Sequence, residues 1–499
     1  MRFRMILLFC FLFALFILRG IAVQDPDFGW HIREGAYILH HGIPPTDPFS
    51  YSMSSYPFVD HEWLSNVIWF LTYSAWGITP LLIVYSFFAA GSILLLYLAS
   101  DKKWIFLPIF ISGVSFFDFA GVRTQLLTWF FLAILIDILF NKRLWQKWRF
   151  GLPFLFLLWA NMHGGFGIGL GVLGIVLMGR IIEEKQQIKE KLLILALCTG
   201  ATLINPYGIR LWWEFWMQLS DSQLRWSITE WGPAYYYTNV AFWGYCMMSL
   251  YFTIRYRKRY SWTTLFLYFF LFVEGMSSMR NIPIWIIAAF PVTVQGITHF
   301  YQEARRHVDG VKRFKIAYKV FSSILVSMFV LQAGIFLYGA YVLHEIAMVY
   351  PTQAVQYLHS HMPKERIFST YDWGGYLLWK LPEKKDYIDG RMPSWRWHAN
   401  IKGESNYAFN EYKKVMVGKE SFSFFTAKYH ISTLLVPKAA AAKPPTKFLG
   451  FTISKNPLLK QLFFSLSSFY GVVVQAKHLG WKEVYHDNTA IIYQKQSTP

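Results

Sequence analysis

The residues best placed to do chemistry lie directly after the first apolar run. They read Asp25-Pro26-Asp27-Phe28-Gly29-Trp30-His31, with Asp27 and His31 at i and i+4 on one helical face. A carboxylate pair beside an imidazole can abstract a proton from an acceptor hydroxyl, and Asp25, Asp27 and His31 together could hold a divalent cation. Asp25 also fits an N-cap, with Pro26 as the first helical residue of a helix to about His40. The two roles are compatible. A second polar pair, His61-Glu62, follows Asp60 and precedes an apolar stretch. Later in the chain Arg123, His163, Glu230 and Arg280 stand at the ends of apolar runs, with Gln125, Asn161 and Asn281 close by. Guanidinium forks match phosphate oxygens, so Arg123 and Arg280, with His163, suit an anionic substrate. Each of these alone also fits snorkelling or helix capping. Zinc-protease and P-loop chemistry have no support, because neither H-E-x-x-H nor a Walker A pattern occurs.

These residues need a scaffold, and composition defines its class. Of 499 residues 55% are hydrophobic, 20% aromatic and only 15% charged. Soluble domains carry about 25% charged residues. A chain this poor in charge cannot cover a water-facing surface, which excludes a single soluble globule and a disordered chain. Cys10, Cys198 and Cys246 all lie in apolar runs, which speaks against a disulfide framework.

A spanning helix needs about 20 mostly apolar residues. The first run, Met5 to Val23, follows Arg2 and Arg4 and has no small-residue cleavage site after it, so it reads as an uncleaved span. Further runs lie at 79–99, 104–121, 122–140, 151–162, 164–180, 192–205, 239–254, 262–277, 281–297 and 320–343, giving about eleven spans in all. Trp63 to Trp76 reads as an interfacial helix. The basic residues gather in alternate loops: Lys102 and Lys103, Lys142 to Arg149, Arg180 to Lys191, Arg255 to Arg259, and Arg305 to Lys319. This positive-inside pattern puts the N-terminus in the cytoplasm and accounts for much of the net charge of +19 without nucleic acid.

The expected architecture is therefore a polytopic α-helical membrane protein. A transmembrane domain covers 1–344, with a long first outer loop at 24–78, and an extracytoplasmic α/β domain covers 345–499. In the latter, strands are expected at Arg366–Thr370, Tyr387–Asp389, Ser432–Val436 and Ala490–Gln494. Helical stretches are expected at Gly375–Leu381 and Leu458–Phe469, and a flexible loop at Lys438–Lys447. The glycines between Gly164 and Gly171 suggest close helix packing.

The pattern D-P-D-x-x-W-H, then D-P-F-S-Y at Asp47 to Tyr51, then H-E-W-L at His61 to Leu64, resembles the GT-C superfamily of integral membrane glycosyltransferases. It is similar to bacterial members of the protein mannosyltransferase and aminoarabinose transferase kind. W-x-N-x-H-G-G at Trp159 to Gly165, N-P-Y-G at Asn205 to Gly208, and the W-G-G-Y and D-G-R of the tail extend the resemblance over most of the chain. It implies an inverting transfer from a polyprenyl-phosphate-linked sugar to an acceptor glycan, lipid or protein, on the outer face of a bacterial plasma membrane. By that analogy Asp25, or Asp27 in its place, is the acidic residue of the first loop, and His61 and Glu62 support it. His31, Arg123, His163, Arg280 and Glu230 are then the substrate-binding set. A transporter or flippase for lipid-linked glycans would favour paired repeats, and none is found. An O-antigen-type polymerase or ligase would share the lipid-linked substrate. The topology predicts that reporter fusions after residue 145 and at the C-terminus report opposite sides of the membrane; a common side for both would overturn it.

Overall fold

The structure, a computed structural model, describes residues 2–100, 104–221, 224–237, 239–307, 309–346, 350–441, 443, 447–448, 451–452 and 464–496. Lys102 and Lys103, part of the 438–447 loop and the first part of the expected 458–469 helix lie outside them. The chain divides into two compact units. The first holds Met1–Gln24, Val59–Ser65 and Thr72–Gly339, and the second holds Asp25–Phe58, Asn66–Leu71 and Ala340–Pro499. The first outer loop is thus shared out between both units.

The first unit is helical: α1 (Arg2–Ala22), α3 (Trp63–Trp76, in part), α4 (Thr79–Ala99), α5 (Phe106–Phe117), α6 (Gln125–Phe140), α7 (Lys142–Trp148), α8 (Leu152–Met162), α9 (Phe166–Glu184), α10 (Ile188–Ala201), α11 (Arg210–Ser220), α12 (Leu224–Ser227), α13 (Val240–Arg255), α14 (Trp262–Ser277), α15 (Ile282–Ala304) and most of α16 (Gly310–Ile346). Every apolar run marked in the sequence is helical. Among the described residues five helices are long and apolar enough to cross a membrane, within Met5–Ala22, Thr79–Ala99, Phe166–Glu184, Met279–Ala304 and Gly310–Ile335. Gln125–Phe140 and Lys142–Met162 pass the same test as a pair bent by 107°. Phe106–Phe117 and Trp262–Ser277 are shorter apolar helices. Their ends are set locally. Asn239 accepts from the Phe242 amide at 3.2 Å and Ser261 from the Thr264 amide at 3.1 Å, capping α13 and α14.

Burial grades these helices. Met279–Ala304 is 78% buried and forms the middle of the bundle, whereas Gly310–Ile335 is only 17% buried although it is equally apolar in character. Ile316, Val320, Ile324 and Leu331 stand exposed along it. In water such a surface would drive association; facing lipid it is at home, which makes this a membrane protein.

The second unit is built on a four-stranded mixed sheet in the order β1 (Arg366–Ser369), β2 (Ile431–Pro437), β6 (Ala490–Gln494), β5 (Lys482–His486). β1 and β2 are parallel and the other pairs antiparallel. A small separate ladder joins β3 (Lys447–Phe448) to β4 (Phe451–Thr452). The helices are α2 (Phe28–His41), α17 (Thr352–Ser360), α18 (Tyr371–Lys380), α19 (Ala408–Met416), α20 (Phe422–Lys428) and α21 (Phe464–His478). Leu358, Ile367, Leu377, Leu435 and Ile492 form the core between sheet and helices. Residues 387–389 are not a strand. They form an extended loop, and only the neighbouring Asp386 bridges to Ser50.

Two features tie the early residues into this unit. α2 and α18 touch through glycines: a Cβ on Gly29 would run into the Gly375 carbonyl. The second is a buried ion cluster. Arg391 grips Asp389 with two bonds, Nε to Oδ1 at 2.9 Å and Nη2 to Oδ2 at 2.7 Å. Its Nη1 meets Asp47 Oδ1 at 2.9 Å and faces Glu34 Oε2 at 3.6 Å. All four side chains are buried. Burial alone would lower the Arg391 pKa, but Asp389, Asp47 and Glu34 overcome it and hold the guanidinium charged. Asp386 is pushed the other way. Burial, then Asp389 and Asp47, raise its carboxyl well above the usual range and favour the protonated form. Arg391→Met would leave three carboxylates without their cation, so this unit should lose about 3–5 kcal/mol. Thermal-ramp proteolysis of the full chain measures it, and unchanged resistance would contradict the role given to Arg391.

Candidate functional site

In the first unit, His61, Glu62 and His163 come together although a hundred residues separate them. Glu62 precedes α3 and His163 ends α8. Glu62 Oε1 accepts from the Thr124 hydroxyl at 2.8 Å and faces His163 Nε2 at 3.3 Å and His61 Nε2 at 3.6 Å. The His163 tautomer follows from its other nitrogen. Nδ1 accepts from the Gly165 amide at 3.0 Å. It also receives the Thr128 hydroxyl at 2.7 Å, since that oxygen already accepts from Trp159 Nε1 at 3.0 Å. Nε2 therefore carries the proton, 3.3 Å from Glu62 Oε1.

This cluster edges a cavity of about 270 Å³. His61, Gln125, Thr128 and His163 line one side; Glu214, Phe215, Trp231, Glu274 and Arg280 line the rest. Glu62 is not on the wall. It stands behind the two histidines and orients them. The Arg280 guanidinium lies over the Trp231 ring at 5.2 Å and makes no ion pair among the described residues. Gln125 is buried, and its Nε2 has no hydrogen-bond partner there. Arg123 is different. It is held by Glu230 at 2.5 Å, so these two expected substrate ligands bind each other.

The glycine run divides by contact. A Cβ on Gly165 would strike Thr128, on Gly167 the Phe215 ring, and on Gly169 Trp159; these are packing positions. Gly171 lines the cavity with nothing within 4 Å of its Cβ position. It leaves bare backbone on the wall. Asn161 is a structural tie, accepting from Trp63 Nε1 at 2.9 Å and donating to the Ile204 carbonyl at 2.9 Å.

Asp25, Asp27 and His31 belong to the second unit. α2 begins at Phe28, two residues later than the sequence suggests. Asp25 Oδ1 accepts from the Asp27 amide at 2.8 Å, so its carboxylate is spent on the turn into the helix. Asp27 occupies the N-cap position without a side-chain cap bond. Its carboxylate sits where a Cβ on Gly390 would be, which explains the glycine of D-G-R. His31 is a packing residue. Its Nδ1 meets Asn66 Oδ1 at 2.6 Å, and its ring lies between Trp30 and Trp69 with centroids 3.7 and 4.5 Å away. Burial lowers its pKa to about 3, against the opposing Asn66 bond. The cation set Asp25, Asp27, His31 does not form: among the described residues no group of three or more such side chains is arranged to hold a metal.

The sequence missed Thr124, Thr128, Glu214 and Glu274. Threonines inside an apolar run read as ordinary β-branched residues, and the two glutamates stand within helices without a motif.

Over nearly its whole length the chain has a fold similar to that of solved membrane oligosaccharyltransferases. Among the solved structures it is similar to are three of the archaeal oligosaccharyltransferase AglB from Archaeoglobus fulgidus. One contains an inhibitory peptide and a dolichol-phosphate (TM-score 0.56), one is the apo form (0.55), and one is tethered by a disulfide to an acceptor peptide containing the NVT sequon (0.54). In each case the likeness covers 98% of this chain and 74% of the other, at 9% identity. No protein-family model matches the chain, and no curated protein sequence matches it.

The His31 shift has a sign. Between pH 6.5 and about 3 the unfolded chain takes up a proton that the folded one refuses, so the stability present above pH 6.5 is lost as pH falls through that window. The loss runs at on the order of 1 kcal/mol per pH unit. Unfolding of the second unit followed by circular dichroism should show it, and His31→Gln should flatten the slope between pH 6.5 and 5. Equal slopes in both proteins would refute the assignment.

Proposed function

We propose that the protein is a glycosyltransferase that moves a sugar or glycan from a polyprenyl-phosphate-linked donor to an acceptor on the outer face of a bacterial plasma membrane, with inversion at the anomeric carbon. The observation that carries this reading is the cavity of about 270 Å³ with the Arg280 guanidinium on its wall, in no ion pair among the described residues. A cation left open in a membrane bundle is costly unless an anion meets it there. A phosphate on a lipid is the anion that arrives from the bilayer. The bare backbone at Gly171 and the apolar Phe215, Phe270 and Leu271 suit an isoprenoid chain. The fold likeness agrees, since one AglB structure holds a dolichol-phosphate.

The chemistry needs few parts. The acceptor attacks the anomeric carbon, the bond from that carbon to the phosphate oxygen breaks, and the phosphate leaves with an added charge. Arg280 and the Gln125 amide receive that charge, and His163, held by Glu62, presents a fixed face to the donor. A carboxylate takes the acceptor's proton. The first loop offers two for that role, Asp25 and Asp27. Arg123 drops out of the phosphate set because Glu230 occupies it.

Reconstituted with a polyprenyl-phosphate sugar, Asp27→Asn should lose about 10²–10⁴-fold in turnover while inserting normally. Arg280→Ala should weaken donor binding about 10- to 100-fold with less effect on turnover. Mass spectrometry of lipids from a deletion strain should find the uncleaved donor accumulating and identify its sugar. Full transfer by Asp27→Asn would remove the base, and unchanged lipids in the deletion strain would remove the reading itself.

A further inference from the structure

A second hollow, away from the one described, lies among α5, α13, α15 and α16. It measures about 570 Å³ and is walled by apolar side chains, among them Trp243, Met247, Phe300, Phe321 and Leu325. It shares Val240, Leu325 and Met328 with a neighbouring hollow of about 320 Å³ that runs on to Ile335. Along α16 the two extend from Phe314 to Ile335. At the helical rise of 1.5 Å per residue this is about 30 Å, the thickness of a bilayer's hydrocarbon. Gly244 sits in the wall, and the nearest atom to its Cβ position is Leu325 Cδ2 at 3.9 Å, so the space beside it is open.

One end of this groove is basic. The first turns of α16 carry Lys312, Arg313 and Lys315, all exposed and without ion pairs among the described residues. Arg313 is one turn before Ala317 of the wall, on the same face. The end of α13 adds Arg257 and Lys258. Arg255 there is already taken by Glu303 at 2.7 Å.

We propose that the groove is a binding site for one anionic phospholipid, its acyl chain along α13 and α16 and its phosphate among Lys312, Arg313 and Lys315. The open cations set the head's charge, and the apolar walls set the tail. Charge decides the occupant: a lipid phosphate meets Lys312, Arg313 and Lys315, whereas an apolar spanning helix leaves them unmet. The bound lipid would cover the flank of α16, which is the least buried long helix of the bundle. This site is independent of the transfer reaction.

Native mass spectrometry of the full chain, released from micelles supplied with phosphatidylglycerol or phosphatidylcholine of equal chain length, tests it. Wild type should retain one phosphatidylglycerol, about fivefold or more in preference to phosphatidylcholine. Lys312→Glu with Arg313→Glu, at exposed positions, should abolish the preference. Gly244→Trp should fill the groove and abolish retention. Equal retention of both lipids by wild type, retention undiminished in Gly244→Trp, or a polypeptide bound one to one would each overturn the proposal. Should Gly244→Trp fail to fold, the charge-reversal pair decides alone.

Discussion

A charge enclosed by apolar helices must find its partners there, because the hydrocarbon around it offers none. Glu62 is where this constraint acts. Its Oε1 is met by the Thr124 hydroxyl and faces two imidazoles. Those imidazoles are fixed in turn, His163 by the Gly165 amide and by Thr128. Thr128 is fixed by Trp159. One carboxylate thereby joins the segment before α3 to α6, the end of α8 and the start of α9. Much of W-x-N-x-H-G-G is spent on this arrangement, with Gly165 kept small because Thr128 lies against it.

The second unit is organised by the opposite charge. Arg391 draws together Asp47 and Asp389, while Glu34 on α2 looks on from 3.6 Å. The rings of Phe49, Phe58 and Trp395 enclose its guanidinium at 5.1 to 5.4 Å. D-P-F-S-Y and D-G-R are therefore two halves of one buried contact rather than two binding motifs. W-G-G-Y serves the same assembly, since Gly375 lies against Pro26 and Trp30 and Gly374 against Ile388 and Asp389. The outcome is a defined place for Asp27 over Gly390.

The apolar helices were legible because lipid demands apolar runs and the chain has little else between residues 79 and 343, whereas only five of the eleven expected spans, or six with the bent pair, are long enough to cross among the described residues. The helix over 79–99 matches to the residue. Three of the four expected strands were legible from alternation and length. β5 was not, for it is an edge strand reading Lys-Glu-Val-Tyr-His, with charge where an apolar run would mark it. Residues 387–389 look like a strand but are held by side chains: Tyr387 is enclosed by aromatic rings and Asp389 is bound to Arg391. In the site, His61, Glu62, His163 and Arg280 were visible as polar residues in apolar surroundings. Their pairings were not, because contacts between distant segments leave no trace in local spacing. The same blindness covered Arg123, whose charge suggested phosphate and whose partner is Glu230.

The bareness of α9 at Gly171 bears on what the cavity can hold. Phe215, Phe270 and Leu271 line the same hollow, so Gly171 is a gap in a wall otherwise made of side chains. A larger side chain there would enter the hollow without striking a neighbour, so its volume can be narrowed by substitution while the packing of α9 stays as it is.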